Sequence, residues 1–68
     1  MEELGQLIAQ IRNQKGLTLC KLSQLSGISD SAILRWESGD TMPRVDNLQR
    51  LLGAMGYKLQ IVKKKVIE

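Results

Sequence analysis

The side chains of this sequence that could do chemistry are hydrogen-bonding groups and not a catalytic set. The chain has one cysteine, Cys20, and no histidine, so zinc sites built from Cys and His, and nucleophiles activated by a histidine base, are unavailable. We therefore expect no catalytic residue, no metal ligand, no cofactor and no enzyme activity. Polar groups that could bind a partner molecule instead cluster in one short stretch: Ser29, Asp30, Ser31 and Arg35.

This cluster lies in a stretch, residues 18–39, whose pattern predicts two short helices joined by a tight turn. Each segment carries an apolar stripe at helical spacing, formed by Leu19, Leu22 and Leu25 in the first and by Ile33 and Trp36 in the second. Gly27 can adopt positive φ at the end of the first helix, and Ser29 can cap the second. The spacing predicts helices over residues 18–25 and from residue 30 to residue 37 or 38, the pattern of a helix-turn-helix.

The residues in this register resemble the Cro/repressor-like helix-turn-helix regulators, the Xre family. Matching positions within and after the stretch are Leu17, Thr18, Leu22, Ser23, Gly27, Ile28, Ser29, Ile33, Trp36, Glu37, Gly39 and Pro43. Others lie outside it: Leu4, Gly5, Ile8, Arg12, Leu48, Leu51 and Leu52. The resemblance implies a mainly α fold, a four-helix helix-turn-helix domain, and the function of a regulator that binds double-stranded DNA.

In such a motif the second helix lies in the DNA major groove with its first residues against base edges. Ser29, Asp30, Ser31 and Arg35 project opposite the apolar stripe and match the base-contacting positions of the family. Arg35 could donate two hydrogen bonds to guanine O6 and N7, but a phosphate contact or an unbound rotamer fits it equally well. Asp30 could accept from cytosine N4, although we favour a role at the helix N-terminus.

Phosphate contacts are expected on both sides of this helix. The residues are Thr18, at the start of the preceding helix, and Ser38, Thr41 and Arg44 around the following loop. The chain departs from the family at Leu19, where a glutamine often contacts DNA, and at Asp40, where a basic residue is common. Both departures predict weak binding by a single copy.

Arg12 lies one turn beyond Ile8, close to the apolar stripe of a first helix predicted over residues 2–14. A lone charge in that position is costly unless it is paired. The resemblance implies a structural ion pair between Arg12 and Glu37; the alternative is that both charges are solvated. We interpret Trp36 as a core residue and not as a stacking platform.

Two flanking helices would complete the core. The first turns inward Leu4, Ile8 and Ile11, and a fourth, over residues 45–55, turns inward Val45, Leu48, Leu51, Leu52 and Met55. Leu7, Leu19 and Leu34 fall away from these stripes. They are either scattered surface residues or contacts for a protein partner.

The C-terminal residues follow a different period. Tyr57, Leu59 and Ile61 alternate with polar residues, which favours a short β-strand. Residues 1–56 would then be the DNA-binding domain, and residues 57–68 a dimerisation strand and tail, because no second strand candidate occurs in the sequence. The alternative is a frayed tail on the fourth helix. The lysines at 63–65 are better interpreted as a solubilising run than as a DNA contact.

Length and charge agree with a small DNA-binding domain. A chain of 68 residues buries only about 60% of its unfolded surface, so a second copy would add stability. The net charge of +3 suits a polyanionic partner. The sequence lacks an apolar run of about 20 residues and a secretory leader pattern, so we expect a cytoplasmic protein without membrane contact.

These features favour a repressor or autoregulator that acts as a homodimer. A helix-turn-helix followed by a dimerising strand is similar to the HipB-type antitoxins, which makes a toxin protein a candidate partner. A phage or plasmid repressor and a restriction-modification controller are the other subtypes. The alternative class is a protein-interaction module that keeps the fold without using DNA, which Leu19 and Asp40 would suit.

Overall fold

The computed structural model describes residues 2–60 and residue 63, and these contain four helices. The helices are α1 (Glu2–Gln14), α2 (Leu19–Ser26), α3 (Asp30–Ser38) and α4 (Val45–Ala54). The predicted four-helix, mainly α fold is confirmed, and the predicted helix ends agree with the structure to within one residue.

Local hydrogen bonds explain where α2 and α3 begin and end. Oγ1 of Thr18 accepts the N–H of the residue three positions later at 3.0 Å, and Oγ of Ser29 does the same at 3.2 Å. Each hydroxyl satisfies a donor that the first helical turn leaves unpaired. Gly27 and Gly39 end the two helices at φ of 74° and 81°, a left-handed conformation that glycine adopts without steric cost.

One hydrophobic core joins the four helices. Its buried side chains are Ile8, Ile11, Leu22, Ile28, Ile33, Trp36, Leu48, Leu51 and Met55. α3 packs against both α1 and α2, and α4 packs against α2. The inner side of α3 is therefore fixed by two neighbouring helices.

The predicted apolar stripe of α2 is wrong at its last position. Leu25 is 51% exposed, because the adjacent Ser26 turns inward in its place. Oγ of Ser26 donates to the carbonyl of Leu22 at 2.8 Å and accepts the N–H of Ile28 at 3.2 Å. A serine can occupy this buried position because its hydroxyl both donates and accepts a hydrogen bond.

A second difference between the predicted and the observed burial lies at the start of α4. Val45 was predicted to point inward, but it is 65% exposed, because it is the first residue of α4 and the core side of that helix begins at Leu48. Leu19 packs partly buried against the core, whereas Leu7 and Leu34 are exposed as expected.

The segment after α4 packs back onto its own domain. The N–H of Tyr57 donates to the carbonyl of Leu52 at 2.8 Å, which closes α4, and Leu59 packs against the core. Nζ of Lys15 lies 5.6 Å from the centroid of the Tyr57 ring, a cation–π contact. Residues 2–60 and 63 contain no strand, and Ile61, the third residue of the predicted strand, lies outside the described residues.

Candidate nucleic-acid interface

The outer side of α3 is an exposed strip of side chains opposite the core. Four residues at positions i, i+3, i+4 and i+7 form it, and we call them the recognition strip: Ser31, Leu34, Arg35 and Ser38. Ile33 and Trp36, on the other side of the helix, are buried in the core. The tryptophan is therefore a core residue, and the strip is available to a partner.

Arg35 lies in the middle of the recognition strip, and its side chain is exposed. Its guanidinium forms no ion pair with any residue in the described part of the chain. Its backbone carbonyl, in contrast, accepts the N–H of Asp40 at 3.0 Å and so helps to end α3. A planar guanidinium in this position can donate two parallel hydrogen bonds to one acceptor pair.

The first residues of α3 are exposed but have structural roles. Ser29 caps the helix, and its Oγ lies 3.4 Å from Oγ of Ser31. Asp30 is the first helical residue, where its carboxylate interacts favourably with the positive end of the helix dipole. Of the four residues predicted to contact bases, only Ser31 and Arg35 belong to the recognition strip.

Three of the predicted phosphate-contacting residues are exposed on segments that precede or follow the two helices of the motif. Thr18 precedes α2, and Thr41 and Arg44 lie in the loop between α3 and α4. Nε of Arg44 lies 3.7 Å from Oδ1 of Asp46, with side chains that are 83% and 67% exposed. Such a pair is weak in water, so a phosphate oxygen can replace Asp46.

Ser38 fits a phosphate contact less well than the other three residues. Its Oγ donates to the carbonyl of Arg35 at 3.0 Å. A serine hydroxyl has a single proton, so this bond must break before Ser38 can donate to a phosphate.

An ion pair fastens the inner side of α3 to α1. Nε of Arg12 donates to Oε2 of Glu37 at 2.7 Å, and Nη2 donates to Oε1 at 3.0 Å. The two side chains are 16% and 8% exposed, and Nη1 of Arg12 also donates to the carbonyl of Leu17 at 2.9 Å. The hydrogen bonds that Arg12 donates to Glu37 raise the pKa of Arg12, an effect that outweighs the opposing effect of burial.

Gly5 allows α1 to approach α3 closely. A Cβ atom at this position would overlap the carbonyl oxygen of Trp36 and would stand 2.7 Å from that of Glu37. Any side chain at Gly5 would therefore push the two helices apart. The ion pair and this backbone contact together fix the orientation of α3.

Two other features, a membrane-spanning helix and a group of metal ligands, are absent from the described residues. None of the helices between residues 2 and 60 is long and apolar enough to cross a membrane. In the same part of the chain, no three His, Cys, Asp or Glu side chains are grouped as metal ligands would be. Cys20 is exposed and unpaired within the part that the structure describes.

The capped α2, the glycine turn and the exposed strip of α3 agree with a comparison to known proteins. The sequence profile of the family described as "Helix-turn-helix" matches residues 8–62. This chain belongs to the helix-turn-helix family. The resemblance to that family, stated from the sequence, is thereby confirmed.

Curated relatives of this helix-turn-helix chain are named as transcriptional regulators. It is 36% identical over 55 residues to the HTH-type transcriptional regulator PuuR of Escherichia coli (strain K12), covering 81% of this chain and 30% of that protein. It is 38% identical over 55 residues to an uncharacterized HTH-type transcriptional regulator of Haemophilus influenzae, covering 81% of this chain and 56% of that protein. The chain thus spans only part of the length of either relative.

Three residues of this helix-turn-helix domain have positions that the sequence did not indicate in full: Leu34, predicted only as a surface residue or a protein contact, Ser26 and Gly5. Leu34 shares the exposed side of α3 with Ser31 and Arg35, which the i, i+3, i+4 spacing alone could have indicated. Ser26 follows Leu25 and competes with it for the buried position of α2. For Gly5, the sequence offered a signal only as a match to the family.

Proposed function

We propose that this chain is the DNA-binding unit of a transcriptional regulator, a repressor or autoregulator that recognises a specific double-stranded DNA sequence. The observation that carries the proposal is the recognition strip, exposed on a helix whose inner side is held by Gly5 and by the Arg12–Glu37 ion pair. The names of the relatives support the same conclusion.

In the proposed complex, α3 lies in the major groove and its recognition strip faces the base edges. Arg35 donates to guanine O6 and N7, a contact that discriminates against other bases by about 1–3 kcal/mol. Ser31, whose side chain is shorter, contacts a base edge one turn nearer the start of α3. Thr18, Thr41 and Arg44 bind phosphates and set the position of α3 along the duplex without reading sequence.

A single copy would read only a few base pairs, so we propose that the protein acts as a homodimer. Two copies related by a twofold axis read half-sites about one helical turn apart, and this multiplies their specificity. The modest net charge of +3 supports the same conclusion, since non-specific attraction contributes little. We propose residues 57–68 as the dimerisation element and residues 1–56 as the DNA-binding domain.

Dimerisation is tested by removing residues 58–68. This truncation keeps Tyr57, whose N–H closes α4, but it removes Leu59, which packs against the core. Far-ultraviolet circular dichroism therefore has to show that the truncated chain is folded before the masses are compared. In sedimentation equilibrium, the full chain should have the mass of two copies and the truncated chain the mass of one. Equal masses for the two chains would contradict the role of this segment.

DNA binding is tested with a duplex selected from a random library and with an unselected duplex, each at two salt concentrations. Arg35→Ala should weaken binding to the selected duplex by about tenfold per half-site and leave binding to the unselected duplex almost unchanged. Arg44→Ala should weaken both equally and lower the salt dependence by about one phosphate contact per half-site.

Arg50→Ala is the control for this test, because it removes the same guanidinium charge from an exposed residue of α4 that has no proposed contact with DNA or with a second copy. It should behave as the unaltered protein on both duplexes. Equal losses for Arg35→Ala on both duplexes would refute the assigned base contact. Absence of both enrichment and salt-dependent binding would refute DNA binding.

A second candidate function, a protein-binding module or an antitoxin with a toxin partner, has support from two exposed leucines outside α3. Leu7 on α1 and Leu25 on α2 are 50% and 51% exposed, and exposed leucines can contribute to protein interfaces. Co-expression with the product of the adjacent gene tests this function. A stable complex that Leu7→Ser or Leu25→Ser weakens would support it, and no complex would contradict it.

A further inference from the structure

Leu34 is the apolar member of an otherwise polar recognition strip. It is 53% exposed, and the other three members are Ser31, Arg35 and Ser38. The core is filled from the other side of α3 by Ile33 and Trp36, so the outer half of Leu34 contributes little to folding. An exposed leucine in the middle of a binding strip can gain free energy from a partner that covers it.

The major groove offers a specific apolar group to such a side chain. Among the four bases, thymine alone carries a C5 methyl group at the major-groove edge. Arg35 follows Leu34 directly in the sequence, and its guanidinium suits the two acceptors of guanine. We propose that Leu34 is a specificity-determining residue that packs against a thymine methyl, so that each preferred half-site contains a thymine beside the base pair bound by Arg35.

This inference depends on the proposed function, because it assigns one base of the site that α3 reads. The polar neighbours of Leu34 favour DNA over a protein as its partner. Protein interfaces are depleted in serine relative to the rest of the surface, whereas two of the three neighbours of Leu34 on the recognition strip are serines, Ser31 and Ser38. A DNA base pair presents this mixture of hydrogen-bonding groups and one methyl.

The experiment uses the full chain and the duplex selected for it from a random library. Each thymine of the selected site is replaced in turn by deoxyuridine, which lacks the C5 methyl but keeps the O4 acceptor. At one thymine of each half-site, the unaltered protein should lose about fourfold in affinity per half-site, the value of one buried methyl group. Leu34→Ala should bind the thymine and uracil duplexes with equal affinity at that position.

Leu25→Ala is the matched control, because it makes the same truncation at a leucine of similar exposure on α2. It should keep the full sensitivity to deoxyuridine. Thermal unfolding by circular dichroism verifies that Leu34→Ala folds, and Leu34→Gln provides a second variant without a branched apolar side chain. The deoxyuridine comparison on the unaltered protein needs no variant.

The possible results separate this inference from the function on which it rests. A selected site without thymine, indifference of the unaltered protein to every uracil, or undiminished sensitivity in Leu34→Ala would each overturn the role of Leu34 and leave DNA recognition intact. Failure to enrich any sequence, together with salt-independent binding, would overturn both.

Discussion

Replacing Glu37 by alanine should remove much of the stability of this domain. The carboxylate accepts two hydrogen bonds from Arg12, at 2.7 and 3.0 Å, and the two side chains are 16% and 8% exposed. Loss of one partner of a buried pair costs about 3–5 kcal/mol, because the other charge is left unpaired. We expect the lower end of this range, since water still reaches part of Arg12. A domain of 68 residues has a free energy of unfolding on the order of 3–10 kcal/mol.

Urea unfolding followed by far-ultraviolet circular dichroism measures this loss. With a denaturant dependence of about 1 kcal/mol per molar urea, typical of a small domain, the midpoint should fall by about 3 M or more. Asp46→Ala is the matched control, because Asp46 lies 3.7 Å from Arg44 in a pair whose side chains are 67% and 83% exposed. It should lower the free energy of unfolding by less than about 1 kcal/mol.

A double variant separates the cost of the unpaired charge from the cost of the side-chain volume that alanine removes. Arg12→Ala combined with Glu37→Ala leaves no unpaired charge, so it should be less destabilised than the sum of the two single variants. Additive losses, or a loss for Glu37→Ala no larger than that for Asp46→Ala, would refute the coupling inferred from the geometry.

Three further predictions concern stability and use the same urea assay. Gly5→Ala should destabilise the domain by about 1–3 kcal/mol, because its Cβ has no room beside α3. Gly53→Ala, inside α4 with open space around it, should stabilise the domain by about 0.5–1 kcal/mol. Changes of the same sign for the two variants would contradict the packing. Ser26→Ala should cost about 1–3 kcal/mol, because the buried N–H of Ile28 loses its acceptor, and an unchanged midpoint would contradict this. Glu37 raises the pKa of Arg12. The Arg12 charge therefore contributes to the free energy of unfolding at any pH below the ordinary pKa of arginine, and this contribution is lost only as pH rises through the raised value. The coupling energy of the double-variant cycle should thus be equal at about pH 7 and about pH 10.

The helices and their ends could be predicted because short-range chemistry determines them. Thr18 and Ser29 bond to N–H groups three residues away, and Gly27 and Gly39 end the helices that precede them. Each of these interactions lies within a few residues, where sequence spacing and geometry correspond directly. The exposed side of α3 was predictable for the same reason.

Packing between distant residues was harder to predict. Apolar spacing selected Leu25 for the core, but the rotation of α2 places Ser26 there, and only the hydrogen bonds to Leu22 and Ile28 explain why a serine is tolerated. The role of Gly5 depends on the backbone of α3, far away in sequence. Pairing of residues 57–68 would depend on a second chain, which periodicity cannot supply.

The fastening of α3 to α1 has a consequence for how such a protein can change. The groups that hold the helix, Gly5 and the Arg12–Glu37 pair, are separate from those that face outward, Ser31, Leu34 and Arg35. Mutations of the outward residues therefore have small stability costs. In the proposed function, exchanging these three side chains changes the preferred DNA sequence while the scaffold underneath stays the same.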